Sequence, residues 1–145
     1  TAVRGHGAFV NGKPMHVTQR ALDESIIGIG TSPYYKDTLG KDTVRLFEAL
    51  LYAASDVRRS GSAAIDFASA ASGRIDGFVE MQLSPWDFCA GCLLVTEAGG
   101  IVTQMNGQPL RFDRPVSVLC GGRKNYGQLK DVIQNNTGRD NVLPD

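Results

Sequence analysis

Between Asp87 and Glu97 the chain carries no charged side chain, and the segment is bracketed by Ser84-Pro85 before it and Gly99-Gly100 after it. Serine then proline opens a helix, and paired glycines close one. The pattern predicts a helix over 85–98. With Trp86, Phe88, Cys89, Ala90, Cys92, Leu93, Leu94 and Val95 around its circumference, that helix is expected to be buried nearly all round. A second helix, predicted over 62–72, is built mainly of Ala and Ser, with Asp66 its only charge. Two helices with so little polar surface ask to be covered on more than one side. A chain of 145 residues has too few strands to do that alone. A partner chain or a further segment is therefore expected over one face.

The remaining elements follow from periodicity and turn chemistry. Asn11-Gly12 predicts a tight hairpin within 5–18. Strands are expected at 25–30, 77–81, 100–105 and 115–121, with a short strand or connector at 55–60. Helices are expected at 41–54 and about 125–135, and 136–145 reads as a polar tail that frays. Strands alternating with helices through the middle give an α/β class, a layered mixed β-sheet with flanking helices in one domain, 1–145.

Composition narrows the partners. Formal net charge is zero, and the adjacent basic pairs Arg58-Arg59 and Arg123-Lys124 have no interleaved aromatics, so a nucleic-acid partner is not expected. The longest uncharged runs, 98–110 and 25–35, are broken by Gly, Pro or Asn, so no membrane span is expected. No signal peptide is read at the start. Three cysteines make an odd count, which points away from a disulfide framework and towards a reducing, cytoplasmic setting.

Several residues carry possible chemistry. Asp87 stands third in its helix, where it can close a capping box with Ser84 or present a carboxylate at the positive end of the dipole. Glu80 ends a strand, sharing a face with Phe78 while Val79 and Met81 face the other way. It points either to water or into the crevice where α/β sheets bind ligands. Ser60-Gly61-Ser62-Ala63 opens a helix whose free N–H groups suit a phosphate or sugar hydroxyls, though such starts are also plain caps. Cys89 and Cys92 have dithiol spacing but sit among apolar residues, so they read as buried and inert. His6 and His16 lack partners at ligand spacing. Asn135-Asn136-Thr137 matches a glycosylation acceptor with nothing else to place the chain outside the cell.

Taken in order, Gly61-Ser62-Ala63-Ala64, Asp76-Gly77-Phe78-Val79-Glu80, Trp86-Asp87-Phe88-Cys89-Ala90-Gly91 and Thr96-Glu97-Ala98-Gly99-Gly100 resemble the inositol monophosphatase family. Gly5-x-Gly7-Ala8-Phe9-x-Asn11-Gly12 resembles the hairpin that precedes this region. The resemblance spans about 2–135 and covers only the C-terminal half of a family member. It implies a Mg²⁺-dependent, lithium-sensitive hydrolysis of a phosphomonoester by metal-activated water. It implies Asp87 as a metal ligand, Glu80 as the acid that meets a substrate hydroxyl, and Gly61, Ser62 and Ala63 as contacts to the substrate ring. The substrate class is a small-molecule phosphate ester.

The family's other metal ligands lie in Gly-x-Glu-Glu and Asp-Pro-x-Asp-Gly-Thr segments, and neither is present. Ile75-Asp76-Gly77 echoes the second, but Gly73 stands where its first aspartate belongs and no Thr follows. With one metal ligand, the isolated chain is expected to be inactive. A non-catalytic module that binds a sugar phosphate or a protein is the alternative, with a homodimer or other association through an uncovered apolar face. A redox module on Cys89 and Cys92 is the third.

Overall fold

A computed structural model of the protein describes residues 1–137. After a small hairpin, β1 (Phe9–Val10) and β2 (Lys13–Pro14), the chain forms β3 (Ile26–Ile29), α1 (Lys36–Ala53), β4 (Asp56–Arg58) and α2 (Ala63–Ala71). It continues through β5 (Gly77–Leu83), α3 (Pro85–Glu97), β6 (Ile101–Thr103), β7 (Val116–Gly121) and α4 (Arg123–Asn136). The five main strands lie in the order β4-β3-β5-β7-β6. β3 pairs in parallel with β4 and β5, whereas β7 is antiparallel to β5 and β6. The expected mixed sheet is present.

Strand alternation sorts the core into two layers of packing. On β5, Phe78 joins Phe67, Phe88, Val95, Val118 and Cys120 on the face covered by α2 and α3. Val79 and Met81 join Ile27, Ile29, Leu46, Leu50, Leu119, Leu129 and Ile133 on the face covered by α1 and α4. All seven residues of β5 are buried, as a central strand requires. Helices α2 and α3 touch closely because Gly91 has no side chain. A Cβ there would lie 2.4 Å from Cγ of Phe67.

Four expectations change. The hairpin forms at Asn11-Gly12, both with positive φ, but stays a separate two-stranded ribbon outside the main sheet. Helix α1 begins at Lys36, five residues before the predicted start, because a 3₁₀ turn over Pro33–Tyr35 runs straight into it. Its Leu39 and Thr43 are buried together with Leu46 and Leu50. Helix α4 reaches from Arg123 to Asn136, so the tail predicted from 136 starts no earlier than Thr137, and 138–145 lies outside the described residues.

The fourth change concerns α3. Phe88, Gly91, Cys92 and Val95 are buried, but Asp87, Cys89 and Ala90 are exposed, and Trp86 is 82% exposed. Among the described residues the five-stranded sheet covers one side of α3, and the face that carries Trp86 and Cys89 is left open.

Candidate functional site

The three parallel strands β4, β3 and β5 run the same way, so the loops after them open at one end of the sheet. Gly30–Tyr35 follows β3, Arg59–Ala64 follows β4 and runs into the start of α2, and Gln82–Asp87 closes β5 and starts α3. These three segments line a single cleft of about 660 Å³. This is the carboxyl-end crevice where open α/β sheets take ligands. The N-termini of α2 and α3 both border it, and their unpaired amides give it two regions of partial positive charge.

All five sequence-predicted site residues lie in that cleft: Gly61, Ser62, Ala63, Glu80 and Asp87. Ser62 caps α2, its hydroxyl oxygen accepting from the Ile65 N–H at 3.5 Å. Gly61 takes φ +88°, which turns the chain out of β4 and into the helix. Asp87 is exposed, and its Oδ2 accepts from the Ser84 N–H at 3.2 Å, the carboxylate half of the expected capping box.

Glu80 is buried, not solvated. Its Oε1 accepts from the Ser32 N–H at 2.8 Å and from the Ser32 hydroxyl at 3.3 Å. Its Oε2 lies over Gly30, where a Cβ would sit 2.0 Å from that oxygen, so only glycine leaves room. Burial raises the Glu80 pKa, the Ser32 bonds oppose this, and the charges of Asp66 and Asp87 add to the rise. Asp66 is also buried and raised by desolvation, with Oδ2 accepting from the Ser60 hydroxyl at 2.8 Å. The cleft floor is thus a desolvated acidic patch, faced by Arg59, whose Nε donates to the Thr31 hydroxyl at 3.3 Å.

Sequence reasoning passed over Ser32, Gln82 and the role of Asp66. Ser32 is 3% exposed with left-handed φ 42°, a conformation a non-glycine residue holds only when its surroundings fix it. Its hydroxyl accepts from the Gln82 N–H at 3.0 Å and lies 3.1 Å from the Gln82 carbonyl. The signal in the sequence was slight: Gly30-Thr31-Ser32-Pro33 directly after a buried strand.

Other candidates fall outside the cleft. Asp76, the echo of a metal motif, binds the Ile26 N–H at 2.7 Å, the Thr18 hydroxyl and Arg20, and so ties the chain after the hairpin to the sheet. Cys89 is exposed while Cys92 is buried, and burial pushes the Cys92 thiol up to about 12. The expectation of two buried cysteines is half corrected: α3 turns Cys89 outward. A thiol held protonated at neutral pH is a poor redox partner. His6 and His16 are exposed. No described helix is long and apolar enough to cross a membrane.

Fold and cleft together define a layered α/β domain with a polar-lined cleft at the carboxyl ends of its parallel strands. Residues 1–137 match the inositol monophosphatase family. The chain belongs to that family. It is 41% identical over 137 residues to an inositol-1-monophosphatase of Rhizobium meliloti, covering 92% of this chain and 50% of that protein. It is 45% identical over 108 residues to Nus factor SuhB of Escherichia coli, covering 74% of this chain and 40% of that one. The solved structure of an Anabaena inositol monophosphatase superposes with a TM-score of 0.87 at 33% identity, covering 93% of this chain and 55% of that chain. The chain spans about half the length of the relatives it matches.

Proposed function

We propose that this chain forms the C-terminal wall of a Mg²⁺-dependent phosphomonoesterase site for inositol monophosphate or a related polyol phosphate. The observation that carries the reading is the meeting of Gly61, Ser62, Ala63, Glu80 and Asp87 in one cleft, drawn from the turn into α2, from β5 and from the first turn of α3. Glu80 is the hydroxyl acceptor: Ser32 holds Oε1, leaving Oε2 above Gly30 for the ligand. The amides at the start of α2 orient the ring. Desolvation makes each of these contacts stronger than it would be in water.

Family members are generally Mg²⁺-dependent, and Asp87 is the residue offered to the metal. The described residues contain no cluster of three Asp, Glu, His or Cys able to hold an ion. One exposed carboxylate does not fit a Mg²⁺ pair, which needs several oxygen donors. The described donors therefore do not make a complete site, and the isolated 145-residue chain is expected to be inactive. With myo-inositol 1-phosphate and Mg²⁺, a clean preparation is expected to release no phosphate above buffer. Measurable release would sink the inactivity. Saturable shifts of the Gly30, Ser32 and Gly61 amides on titration with the same compound are expected, and an unchanged spectrum removes the polyol-phosphate reading.

A second reading is favoured by the open face of α2 and α3, where Trp86 is 82% and Ile65 59% exposed. In it the chain is a non-catalytic family member, cytoplasmic, that associates through this apolar surface as a homodimer or with a partner. The name Nus factor carried by several relatives shows that the family is not confined to proteins named as phosphatases. Sedimentation as a strict monomer at high concentration counts against it.

A further inference from the structure

Gln82 is a side chain of the cleft whose chemistry the preceding reading leaves unused. It sits two residues beyond Glu80 on β5, lines the same cleft and is 8% exposed. Its backbone is fully engaged, with the N–H and the carbonyl both against the Ser32 hydroxyl. The strand is therefore fixed, and the side chain cannot leave the site by sliding. Yet the carboxamide oxygen is buried with no hydrogen-bond partner among the described residues. The terminal amide can present either its oxygen or its nitrogen at this buried position, so it can meet a donor or an acceptor there.

An unpaired buried amide is a cost that an apolar side chain of equal size would avoid. Its persistence at the floor of a cleft is explained if a ligand completes the pairing. The terminal torsion of glutamine is broad, so the head group can turn towards the cleft without leaving its rotamer. Charge decides what it meets. With Glu80, Asp66 and Asp87 around it, a phosphate group is repelled from this part of the cleft. A neutral hydroxyl is not: it donates to a carboxylate and exchanges a second hydrogen bond with an amide.

We propose that Gln82 is a specificity-determining residue, its carboxamide reading a ring hydroxyl of the polyol phosphate beside the one that Glu80 accepts. The assignment rests on the polyol-phosphate reading above. Trp86, the only tryptophan, lines the cleft and reports on binding by its fluorescence. The test titrates the full 145-residue chain, wild type and Gln82→Met, with myo-inositol 1-phosphate and with cyclohexyl phosphate, which has the ring and phosphate without ring hydroxyls.

In Gln82→Met the affinity for myo-inositol 1-phosphate is expected to fall about tenfold, while the weak response to cyclohexyl phosphate stays as it was. Thermal stability is expected to hold or rise, because the orphaned amide is gone. A structural residue would show the reverse, lower stability with unchanged affinity. Gln82→Glu, which keeps the shape, serves as the second variant if methionine does not fold, and it too is expected to weaken the inositol compound. Equal inositol phosphate affinity in wild type and variant overturns the role of Gln82 alone. No response of the wild type to myo-inositol 1-phosphate overturns the polyol-phosphate reading, and Gln82's role with it.

Discussion

At the C-terminal end of α3, Glu97 gives both carboxylate oxygens to the backbone, accepting from the Gly5 and Gly7 amides at 2.9 Å each. At the N-terminal end of the same helix, Asp87 accepts one amide at 3.2 Å and faces the cleft. The dipole would favour an acid at the N-terminus and disfavour one at the C-terminus. Local helix physics therefore ranks the two acids in the opposite order to their use. Glu97 overcomes its unfavourable end because two amides in a positive-φ loop converge on it, and it clamps the N-terminal hairpin region to the domain. Asp87 has the favourable end and is left half-engaged, which is what a ligand-facing group needs.

The largest effect should come from breaking the helix that joins the two ends. Gly91→Ala places a methyl 2.4 Å from Phe67, so α2 and α3 must part, at a cost of about 3 kcal/mol measured by denaturant unfolding. Both ends should then lose definition together.

Next comes the buried acid beside Asp87. Because burial raises the Glu80 pKa above its ordinary 4.5, the folded state holds that proton more tightly than the unfolded chain does. Stability from this group is therefore greatest below about pH 4.5 and falls as pH rises through the folded value. Glu80→Gln removes the burden, and Tm at pH 7 should rise. The gain should vanish in acid. A gain that persists unchanged at pH 4 would mean that ionisation of Glu80 is not its source.

Glu97 should behave with the opposite sign. The Gly5 and Gly7 amides hold its pKa below the ordinary 4.5, so the clamp is complete above that value and is lost as pH falls through the lowered one. In Glu97→Gln, the Gly5 and Gly7 amide resonances should move towards those of a free loop at neutral pH, while the sheet resonances stay in place. The smallest effect is expected at Asp87. Asp87→Asn keeps a cap acceptor on an exposed side chain, so stability should change by no more than about 0.5 kcal/mol. A large loss there would mean that Asp87 is structural, and the contrast between the two ends would collapse.

Much of this arrangement is legible in the residues themselves. Ser84-Pro85 and Gly99-Gly100 bound α3 to within a residue, and Asn11-Gly12 marks its turn, because caps and turns depend on a few neighbours. Alternation on β5 correctly separates Phe78 and Glu80 from Val79 and Met81. The early start of α1 is not legible, since Lys36–Gly40 has one buried residue, Leu39, and no capping side chain. Nor is the exposed face of α3. Trp86 and Cys89 are apolar by type, and residue type alone does not say whether a neighbour exists to cover them.

The site divides in the same way. Glu80, Asp87 and Gly61–Ala63 stand out singly because strand ends and helix starts have local signatures. Ser32 and Gln82 do not, because their importance lies in a hydrogen bond between residues 50 positions apart. By itself the sequence determined the elements, the two faces of β5 and the acids that could bear chemistry, all set by interactions within a few residues. Only the tertiary structure decided that three parallel strand ends share one cleft, that Glu80 is buried over Gly30, and that Glu97 is a clamp while Asp87 borders the cleft. Burial and pairing depend on what comes close in space, and that distance is fixed by the whole sheet.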